Sequence, residues 1–532
     1  MGIYKDCDIR GRYGFELGTE EAFLIGRAVG SIIVGRRCAR LPSHAGGPYV
    51  IVGGDLRPST GALKEALMDG LNAEGVYVAD VGTLPTPAFY HALGGSGASG
   101  GVMVTASHSP PDHNGFKVTL GEGPITVGDM GEIEAKVGSL RAGARPGPAA
   151  GPGGRREGDA AAGAGAAGMA ATPTATPCGA RVRGNGLSFG TGMRARADVR
   201  GSYVASLADA YAGLPFGGGG GAGGPGAAGD APRVGALGAA GLTAAVDCGN
   251  GAMCGLAAEA LSLVGVRVLE LFGEPDGRFP GRGPNPTDHS CLGALCAMVT
   301  ERGADFGVAF DGDGDRAVFV DDMGRPVDGE RAFALMVKGG RWGRGDRSDG
   351  ASAAPRFVYD LKSSSAVRRA IEEAGGVPLM ARSGHTFIKR AFLESGAAMA
   401  GEISGHFFFS GIGGDDGLFA AMAMAKLLGC TGGTLSSMLD AIAMPPITPD
   451  LRLDCAPEGQ DGILRAIEAL GEGHTVTRLD GVRIEFPDGW VLARKSVTAS
   501  QITLRVEAAD GASMDRIRRL LTDAVPETRS IL

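Results

Sequence analysis

The sequence predicts an α/β protein whose carboxyl-terminal part is a smaller α+β domain. Two observations lead to this prediction. Short apolar runs alternate with amphipathic stretches of helical spacing over most of the chain, and beyond about residue 445 the pattern changes to alternating strands beside one helix. The chain has 532 residues, of which 44% are hydrophobic, so it is long enough to bury several cores. At about 150 residues per domain, this length suggests three or four domains.

The alternation begins at YVIVGGD (49–55), which predicts a strand and is followed by the helix-like stretch GALKEALMDGLNAEG. Each later apolar run also has a helix-like neighbour. This order is typical of βαβ units and mostly parallel sheets. The pairs are LTAAVDCGNG (242–251) before GLAAEALSLVG and the strand VRVLELF, LGALCAMVTERG before DFGVAFDGDGD, and PRFVYDL (355–361) before SAVRRAIEEAG.

The tail contains VRIEFPDGWVLARKS and QITLRVEA, which alternate as half-buried strands do, and then the helix-like MDRIRRLLTDAV. We place domain boundaries near residues 200, 326 and 445. The predicted domains are 1–200, 201–325, 326–445 and 446–532.

Glycine is abundant, with 94 residues, and it is concentrated in two segments, 143–194 and 216–240. Both are rich in glycine, alanine and proline and almost free of large apolar side chains. Such segments cannot bury enough surface to offset the entropy of ordering, so we predict two flexible insertions. A periodic apolar pattern at 197–213 predicts a short helix between them.

The net charge of −8 and the pI of about 5.6 argue against nucleic acid or an anionic membrane as the main partner. The nine cysteines have no zinc or thioredoxin spacing, which favours a reduced compartment. The first residues lack the apolar core of a signal peptide, and no later run is long enough to span a bilayer. We therefore expect a cytoplasmic protein.

The stretch VMVTASHSPPDHNGFK (102–117) places Ser107 directly after an apolar strand, with His108 beside it and Lys117 close behind. Ligands of open α/β sheets bind beyond the carboxyl ends of the strands, where a serine can act as a nucleophile once it is activated. A strand that ends in a proline-rich turn capped by serine is the alternative. For an isolated Ser-His pair this alternative is much the commoner case.

The segment VAFDGDGDRAVFVDD carries three aspartates at alternate positions, separated only by glycines: Asp311, Asp313 and Asp315. Glycines allow the three carboxylates to converge, and their repulsion requires a cation among them. An EF-hand would need glycine and glutamate where Arg316 and Asp322 stand. The pattern therefore predicts a Mg²⁺ site.

The segment AGEISGHFFFSG (400–411) offers Glu402, Ser404 and His406 in a short polar loop, a donor and acceptor set suited to sugar hydroxyls. A plain surface pair of Glu402 and His406 would give the same pattern.

The segment LARKSVTASQITLRVEA (492–508) contains Arg494, Lys495, Ser496 and Thr498, a set that suits a phosphate dianion. A basic turn between two strands is an equally good explanation of this stretch when it is taken alone.

Taken together and in this order, the four segments resemble the α-D-phosphohexomutases, most closely the phosphomannomutase/phosphoglucomutase branch. KDCDIRG near the start, GGDLRPST (53–60), DCGNGAMCG, RSGHTFIK (382–389) and DGVRIEFPDGW are also family-like. The resemblance covers nearly the whole chain outside the two glycine-rich segments. It implies three similar α/β domains with mixed sheets and a smaller α+β domain, arranged around a central cleft.

The resemblance also implies a reaction. Ser107 would carry a phosphoryl group and exchange it with a hexose phosphate through a bisphosphorylated intermediate, with hexose 1,6-bisphosphate as activator. Mg²⁺ would be held by Ser107 and the three aspartates. Arg316 and Lys117 would add positive charge, and one of Lys117, His108 or His385 would move the hydroxyl proton. The implied substrate-binding residues are Arg10, Lys362, Glu402, Ser404, His406, Arg494, Ser496 and Thr498.

Several features depart from the family or leave alternatives open. Val497 replaces a small or turn-prone residue of the phosphate loop, the proline of that loop is missing, and Cys7 stands where tyrosine is frequent. The form GEISGH favours mannose and glucose phosphates over glucosamine phosphate, whose mutases tend to have Gln in place of Ile403. A phosphatase with Asp311 as nucleophile would need Thr or Val at position 315 and would leave Ser107 without a role. A non-catalytic phosphosugar-binding relative is a third possibility.

Overall fold

The computed structural model describes residues 2–36, 47–121, 123–143, 193–216, 239–342, 354–496 and 500–532. Most of the two predicted insertions, and with them their predicted flexibility, lie outside these residues, as do Val497 and Thr498. The helix predicted between the insertions is present at Arg200–Ala212. No described helix is both long enough and apolar enough to cross a membrane.

The first sheet has seven strands in the order β1-β5-β4-β2-β3-β7, and β6 pairs with β5. Strands β4, β2, β3 and β7 are parallel, whereas β5 is antiparallel to both β4 and β1. The strands are β1 (Ile9–Arg12), β2 (Tyr49–Gly54), β3 (Tyr77–Thr83), β4 (Gly100–Val104), β5 (His113–Leu120), β6 (Gly123–Pro124) and β7 (Arg194–Arg196); the helices are α1 (Thr19–Arg36), α2 (Thr60–Ala73), α3 (Thr86–Leu93) and α4 (Val127–Gly143).

The second sheet has five strands in the order β12-β11-β10-β8-β9, of which β10, β8 and β9 are parallel. Its strands are β8 (Thr243–Asp247), β9 (Arg267–Leu271), β10 (Phe306–Phe310), β11 (Ala317–Val320) and β12 (Pro326–Val327). The helices are α5 (Arg200–Ala212), α6 (Leu256–Leu263) and α7 (Gly293–Arg302), with a 3₁₀ helix at His289–Leu292.

The third sheet has the order β14-β13-β15-β16-β17, of which β14, β13 and β15 are parallel. Its strands are β13 (Arg356–Asp360), β14 (Val377–Ala381), β15 (Met399–Gly401), β16 (Phe407–Phe409) and β17 (Gly414–Asp415). The helices are α8 (Gly329–Gly339), α9 (Ser365–Glu373), α10 (His385–Ser395), α11 (Gly417–Thr431) and α12 (Leu435–Asp440).

The fourth sheet is antiparallel throughout, in the order β18-β22-β21-β20-β19. Its strands are β18 (Leu451–Asp454), β19 (Thr475–Thr477), β20 (Val482–Phe486), β21 (Gly489–Lys495) and β22 (Gln501–Ala508); α13 (Pro457–Ala469), α14 (Gly511–Ala524) and a 3₁₀ helix at Pro526–Ser530 complete the unit. The expected α/β class with mixed sheets and a terminal α+β unit is confirmed. The domain boundaries near 200, 326 and 445 stay predictions.

The first three sheets share one arrangement. In each, three parallel strands that are consecutive in the chain are followed by an antiparallel strand. The loop between the last of these parallel strands and the antiparallel strand is a segment singled out in the sequence. These loops join β4 to β5, β10 to β11 and β15 to β16. Since they leave the carboxyl ends of equivalent parallel strands, they lie at equivalent positions in three similar units.

One apolar core extends through the first three units, and each of these units also has a smaller core of its own. Helix α11 is buried on all sides from Gly417 to Leu428, as expected for a helix that is apolar all round and lies between packed units. The fourth unit has a separate core, formed mainly by β20, β21, β22 and α14. The first three loops are therefore held by one packed body, and the fourth unit faces them across a cleft.

Candidate active site

Three loops meet at the floor of the cleft. The Ser107 hydroxyl donates to Asp311 Oδ2 at 2.7 Å, which joins the first loop to the second. The second and third loops are joined by an isolated antiparallel bridge between Arg316 and His406, and Ala317 N donates to Gly405 O at 3.0 Å. The topology thus brings the predicted serine, aspartate and sugar loops together.

Ser107 has a backbone φ of +50°, in the left-handed region that non-glycine residues seldom adopt. Such a conformation costs about 1–3 kcal/mol and is retained where surrounding contacts hold it. Its amide donates to Thr105 Oγ1 at 2.9 Å, and its side chain is almost fully buried. The turn therefore aims the hydroxyl at Asp311 rather than at solvent.

Arg57 is the residue that fixes the serine loop. Its guanidinium is fully buried, pairs with Asp55, and donates to four backbone carbonyls of the loop. One buried arginine thereby ties four backbone carbonyls of the proline-rich turn to a single side chain. The four acceptors are the carbonyl oxygens of Ser107, Ser109, Pro110 and His113.

Replacing Arg57 with leucine is expected to lower the free energy of unfolding by about 3–5 kcal/mol, because Asp55 then stays buried without its partner. Urea unfolding of the variant checks this. The matched control is Arg12→Leu, which breaks the half-exposed pair with Asp112 and is expected to cost less than about 1 kcal/mol. Equal and small shifts in both variants would contradict the anchoring role.

Asp311, Asp313 and Asp315 are fully buried, with ligand oxygens within 4.8 Å of one another. Burial, and then the charges of the other two carboxylates, raise the pKa of Asp311 to about 8. Asp313 Oδ1 and Asp315 Oδ1 are buried and have no hydrogen-bond partner. Oxygen-only donors, mutual repulsion and two unpartnered oxygens fit a hard divalent cation such as Mg²⁺.

Three cationic or basic side chains surround this cluster. Lys117 Nζ lies between two of the carboxylates, at 2.7 Å from Asp313 Oδ2, and Arg316 Nε lies 3.7 Å from Asp311 Oδ2. His108 Nδ1 lies 3.4 Å from Ser107 Oγ. The positive charge of Arg316, together with burial, lowers the pKa of His108 well below its usual value.

A cavity of about 520 Å³ lies above the loops and is lined by all four units. Glu402 reaches it from the third loop, and Glu402 Oε2 and Ser404 Oγ are buried without a hydrogen-bond partner. Ser404 itself does not line the cavity. Buried unpartnered oxygens beside a cavity are suited to polar ligand groups. The predicted site residues that line the cavity are Arg10, Ser107, His108, Lys117, Arg316, Lys362, His385, Glu402, His406 and Arg494.

The basic groups distant from Ser107 are held by carboxylates. Lys362 Nζ is paired with Asp450, and Arg494 Nη1 lies 3.1 Å from Asp480 Oδ2. Arg494 Nε is buried and has no hydrogen-bond partner. Ser496 N donates to Gln501 O at 2.8 Å, which extends the pairing of β21 with β22 one residue beyond Lys495. The placement predicted for Thr498 lies outside the described residues.

Asp415 connects the histidines of the site. Its Oδ2 lies 2.7 Å from His385 Nε2 and 3.2 Å from His406 Nδ1, and Lys389 Nζ lies 3.5 Å from its Oδ1. With Asp315 these groups could also hold a metal ion. The histidine nitrogens already share hydrogen bonds with Asp415 Oδ2, whereas Asp313 Oδ1 and Asp315 Oδ1 have no hydrogen-bond partner, so the three aspartates of the second loop fit a cation better.

Several residues that shape the site were not predicted from the sequence: Asp55, Arg57, Tyr90, Lys389 and Asp415. Of these, Asp55 and Arg57 lie in GGDLRPST, which was singled out only as family-like. Lys389 Nζ lies 3.2 Å from the centre of the Tyr90 ring, a contact between separate units that no local pattern signals.

Comparison with known proteins agrees with this geometry. Three models of phosphoglucomutase/phosphomannomutase alpha/beta/alpha domains match the chain: domain I at 2–142, domain II at 228–324 and domain III at 337–444. A phosphomannomutase/phosphoglucomutase of Pseudomonas aeruginosa is 30% identical over the whole chain and 96% of its own length. A phosphoglucomutase of Neisseria gonorrhoeae is 30% identical over 97% of this chain and 95% of its own.

Among solved structures, a phosphoglucomutase/phosphomannomutase family protein of Burkholderia thailandensis aligns with a TM-score of 0.74 at 29% identity, covering 98% of both chains. The similarity therefore spans all four units, and the loops described above fall within it. The chain belongs to the phosphoglucomutase/phosphomannomutase family, the α-D-phosphohexomutases.

Proposed function

We propose that the protein is a phosphohexomutase that interconverts the 1-phosphates and 6-phosphates of mannose, glucose or both. The observation that carries this proposal is the Ser107 hydroxyl at 2.7 Å from Asp311 Oδ2, at the floor of a cavity lined with basic side chains. A phosphorylated Ser107 would face a substrate across this cavity. Phosphoryl transfer asks a protein mainly for positioning and charge stabilisation, and both are built into the site.

In the proposed mechanism, phosphorylated Ser107 gives its phosphoryl group to a free hydroxyl of the hexose phosphate. The bisphosphorylated sugar then reorients, and its other phosphate returns to Ser107. A Mg²⁺ ion held by the three aspartates and the serine phosphate would neutralise charge on the transferring group. Arg316 adds a guanidinium beside Asp311, and Lys117 adds an ammonium group between the other two carboxylates.

The hydroxyl proton would pass to one of Lys117, His108 or His385, all of which line the cavity. Hexose 1,6-bisphosphate would serve as the activator that restores phosphorylated Ser107 whenever the intermediate is lost. Lys117, in strand β5, contacts the carboxylates of Asp313 and Asp315, so it also acts as a fixed positive charge beside the three aspartates.

Substrate binding would use both ends of the cavity. Glu402 and Ser404 would contact sugar hydroxyls, with His406 and Lys362 nearby. Arg494, Ser496 and Thr498 would hold the phosphate that is not reacting, and Arg10, which donates to Ser109 Oγ in the serine loop, would bind substrate at the other end. Because the bisphosphorylated intermediate must reverse its orientation in the cleft, the residues that hold the non-reacting phosphate have to accept either phosphate of the sugar. A fourth unit that opens and closes over the cleft would permit the turn.

A cytoplasmic location and hexose phosphates as the main partners complete the proposal. The net charge of −8 gives no support for a nucleic-acid partner. Phosphoglucosamine mutase activity and non-catalytic phosphosugar binding are the competing functions, and the experiment below distinguishes them.

The proposal is tested by a ³¹P NMR time course on the purified protein with Mg²⁺ and a trace of glucose 1,6-bisphosphate. Mannose 1-phosphate, glucose 1-phosphate and glucosamine 1-phosphate are supplied separately. Conversion of the first two to 6-phosphates supports the proposal, and faster conversion of the third would favour the glucosamine branch. Release of inorganic phosphate, or no change in any substrate, would contradict it.

Replacing Glu402 with glutamine is expected to lower kcat/KM about 10- to 100-fold, because a hydrogen bond to a charged group contributes about 1.5–3 kcal/mol. The buried, unpartnered Glu402 Oε2 is the atom that a sugar hydroxyl would satisfy. Steady-state kinetics on both sugar phosphates check this. Glu372→Gln, on the exposed face of α9, is the control and should match wild type. A Glu402→Gln enzyme within twofold of wild type would exclude this role.

A further inference from the structure

Asp415 is the last residue of β17 and precedes Asp416, the cap of helix α11; its side chain is fully buried. One of its oxygens, Oδ2, serves two imidazole rings, His385 Nε2 at 2.7 Å and His406 Nδ1 at 3.2 Å. A carboxylate can only accept hydrogen bonds, so both ring nitrogens must donate. Asp415 therefore places a proton on Nδ1 of His406.

The other nitrogen of His406 faces a guanidinium. Arg316 Nε donates to His406 Nε2 at 3.0 Å, and a guanidinium has no acceptor, so Nε2 carries no proton. Burial opposes a charged ring, but the carboxylates of Asp315 and Asp415 outweigh it and raise the pKa of His406. The contact with Arg316 nevertheless favours the neutral ring, because a proton on Nε2 would place two hydrogen-bond donors opposite each other.

Arg316 in turn lies against the metal loop and the serine. Its backbone amide donates to Asp311 Oδ1 at 3.2 Å, its Nε lies 3.7 Å from Asp311 Oδ2, and that same oxygen accepts the Ser107 hydroxyl. A continuous chain of contacts thus runs from Asp415 through His406 and Arg316 to Ser107. Within this chain, the acceptor role of His406 Nε2 toward Arg316 depends on the proton placement that Asp415 sets.

We propose that Asp415 is a positioning residue, which fixes His406 in its Nδ1–H tautomer and thereby holds the Arg316 guanidinium beside Asp311 and Ser107. The inference rests on the proposed function, since it assigns Arg316 to the transferring phosphoryl group. Asp415 itself does not line the cavity, so it acts through the side chains that it contacts. Its neighbour Asp416 is equally buried but caps α11 and accepts from the Tyr203 hydroxyl, away from this chain of contacts.

The substitution Asp415→Asn would reverse the tautomer of His406. Lys389 Nζ lies 3.5 Å from Asp415 Oδ1, so the amide oxygen of asparagine is drawn toward that lysine. Its NH₂ group would then face the two imidazoles and donate to His406 Nδ1. The proton of His406 would move to Nε2, where it opposes Arg316, and the guanidinium would lose its acceptor.

The test compares Asp415→Asn with its matched control Asp416→Asn. We expect kcat of Asp415→Asn to fall about 10²- to 10⁴-fold, the scale seen when a buried aspartate no longer sets a histidine tautomer, with KM changed only a few-fold. Ring ¹⁵N spectra of histidine-labelled protein, assigned with His406→Gln, should show His406 protonated at Nδ1 in wild type and at Nε2 in Asp415→Asn. Asp416→Asn should keep the wild-type tautomer and rate.

The wild-type spectrum alone tests the inference if Asp415→Asn fails to fold. A wild-type His406 protonated at Nε2, or at both nitrogens, would overturn it, and so would an Asp415→Asn enzyme with unchanged kcat. A wild-type protein that shows the Nδ1–H tautomer but no mutase activity would support the chain of contacts and count against the proposed function. Failure of the tautomer inference and failure of the proposed mutase function therefore give different results.

Discussion

Replacing Ser107 with alanine is expected to lower turnover at least about a thousandfold, the scale of losing a covalent nucleophile. The expectation follows from the site. The hydroxyl is held by a strained turn, contacts Asp311 at 2.7 Å and lies at the cavity floor, so no other described hydroxyl occupies its place. Steady-state assay with either sugar 1-phosphate, primed with the bisphosphate, measures the effect.

Ser99→Ala is the matched control for this prediction. Ser99 is also buried and lies just before the same strand, β4, at the end remote from the cavity. It should retain wild-type turnover, and its melting temperature should match that of Ser107→Ala. Near-normal turnover in Ser107→Ala would exclude a phosphoserine mechanism at this position.

Exhaustive chelation is expected to abolish turnover, and added Mg²⁺ to restore it, because three buried carboxylates without a cation repel one another and an incoming phosphate. The loss should exceed about a hundredfold. A second readout is independent of activity. Mg²⁺ should raise the melting temperature by mass action, and this rise should disappear in Asp313→Asn, which removes one of the buried ligands.

Full turnover after chelation would contradict the metal assignment. The same conclusion would follow if Mg²⁺ raised the melting temperature of Asp313→Asn as much as that of wild type. Asp305→Asn is a suitable control, because Asp305 accepts from the backbone amide of Thr243 at the opposite end of the second sheet. That variant should keep the full response to Mg²⁺.

The serine loop and the aspartate loop could be predicted from the sequence because each is formed by one contiguous segment. Ser107 at a strand end and the aspartates separated by glycines are readable locally, since one strand and one turn determine where those side chains point. The strands and helices that flank them were also predictable from apolar periodicity, as β2 and α2 show.

The residues that hold these loops in place, such as Arg57 and Lys389, could not be predicted from the sequence, because their partners are distant in the chain. Arg57 reaches a turn some fifty residues away, and Lys389 stacks on Tyr90 from another unit. The equivalence of the three loops was hidden for a different reason. Strands β15 and β16 have three residues each, too few to show a periodicity, so only the pairing order of the sheet reveals the shared position.

The phosphoserine mechanism is tested most directly by following the phosphate on Ser107 itself. The protein is incubated with glucose 1,6-bisphosphate and Mg²⁺, freed of small molecules and examined by peptide mass spectrometry before and after glucose 1-phosphate is added. We expect one phosphate on Ser107 that disappears as glucose 1,6-bisphosphate forms. A protein that turns over hexose phosphates while Ser107 stays unmodified, or whose phosphate passes only to water, would contradict this mechanism.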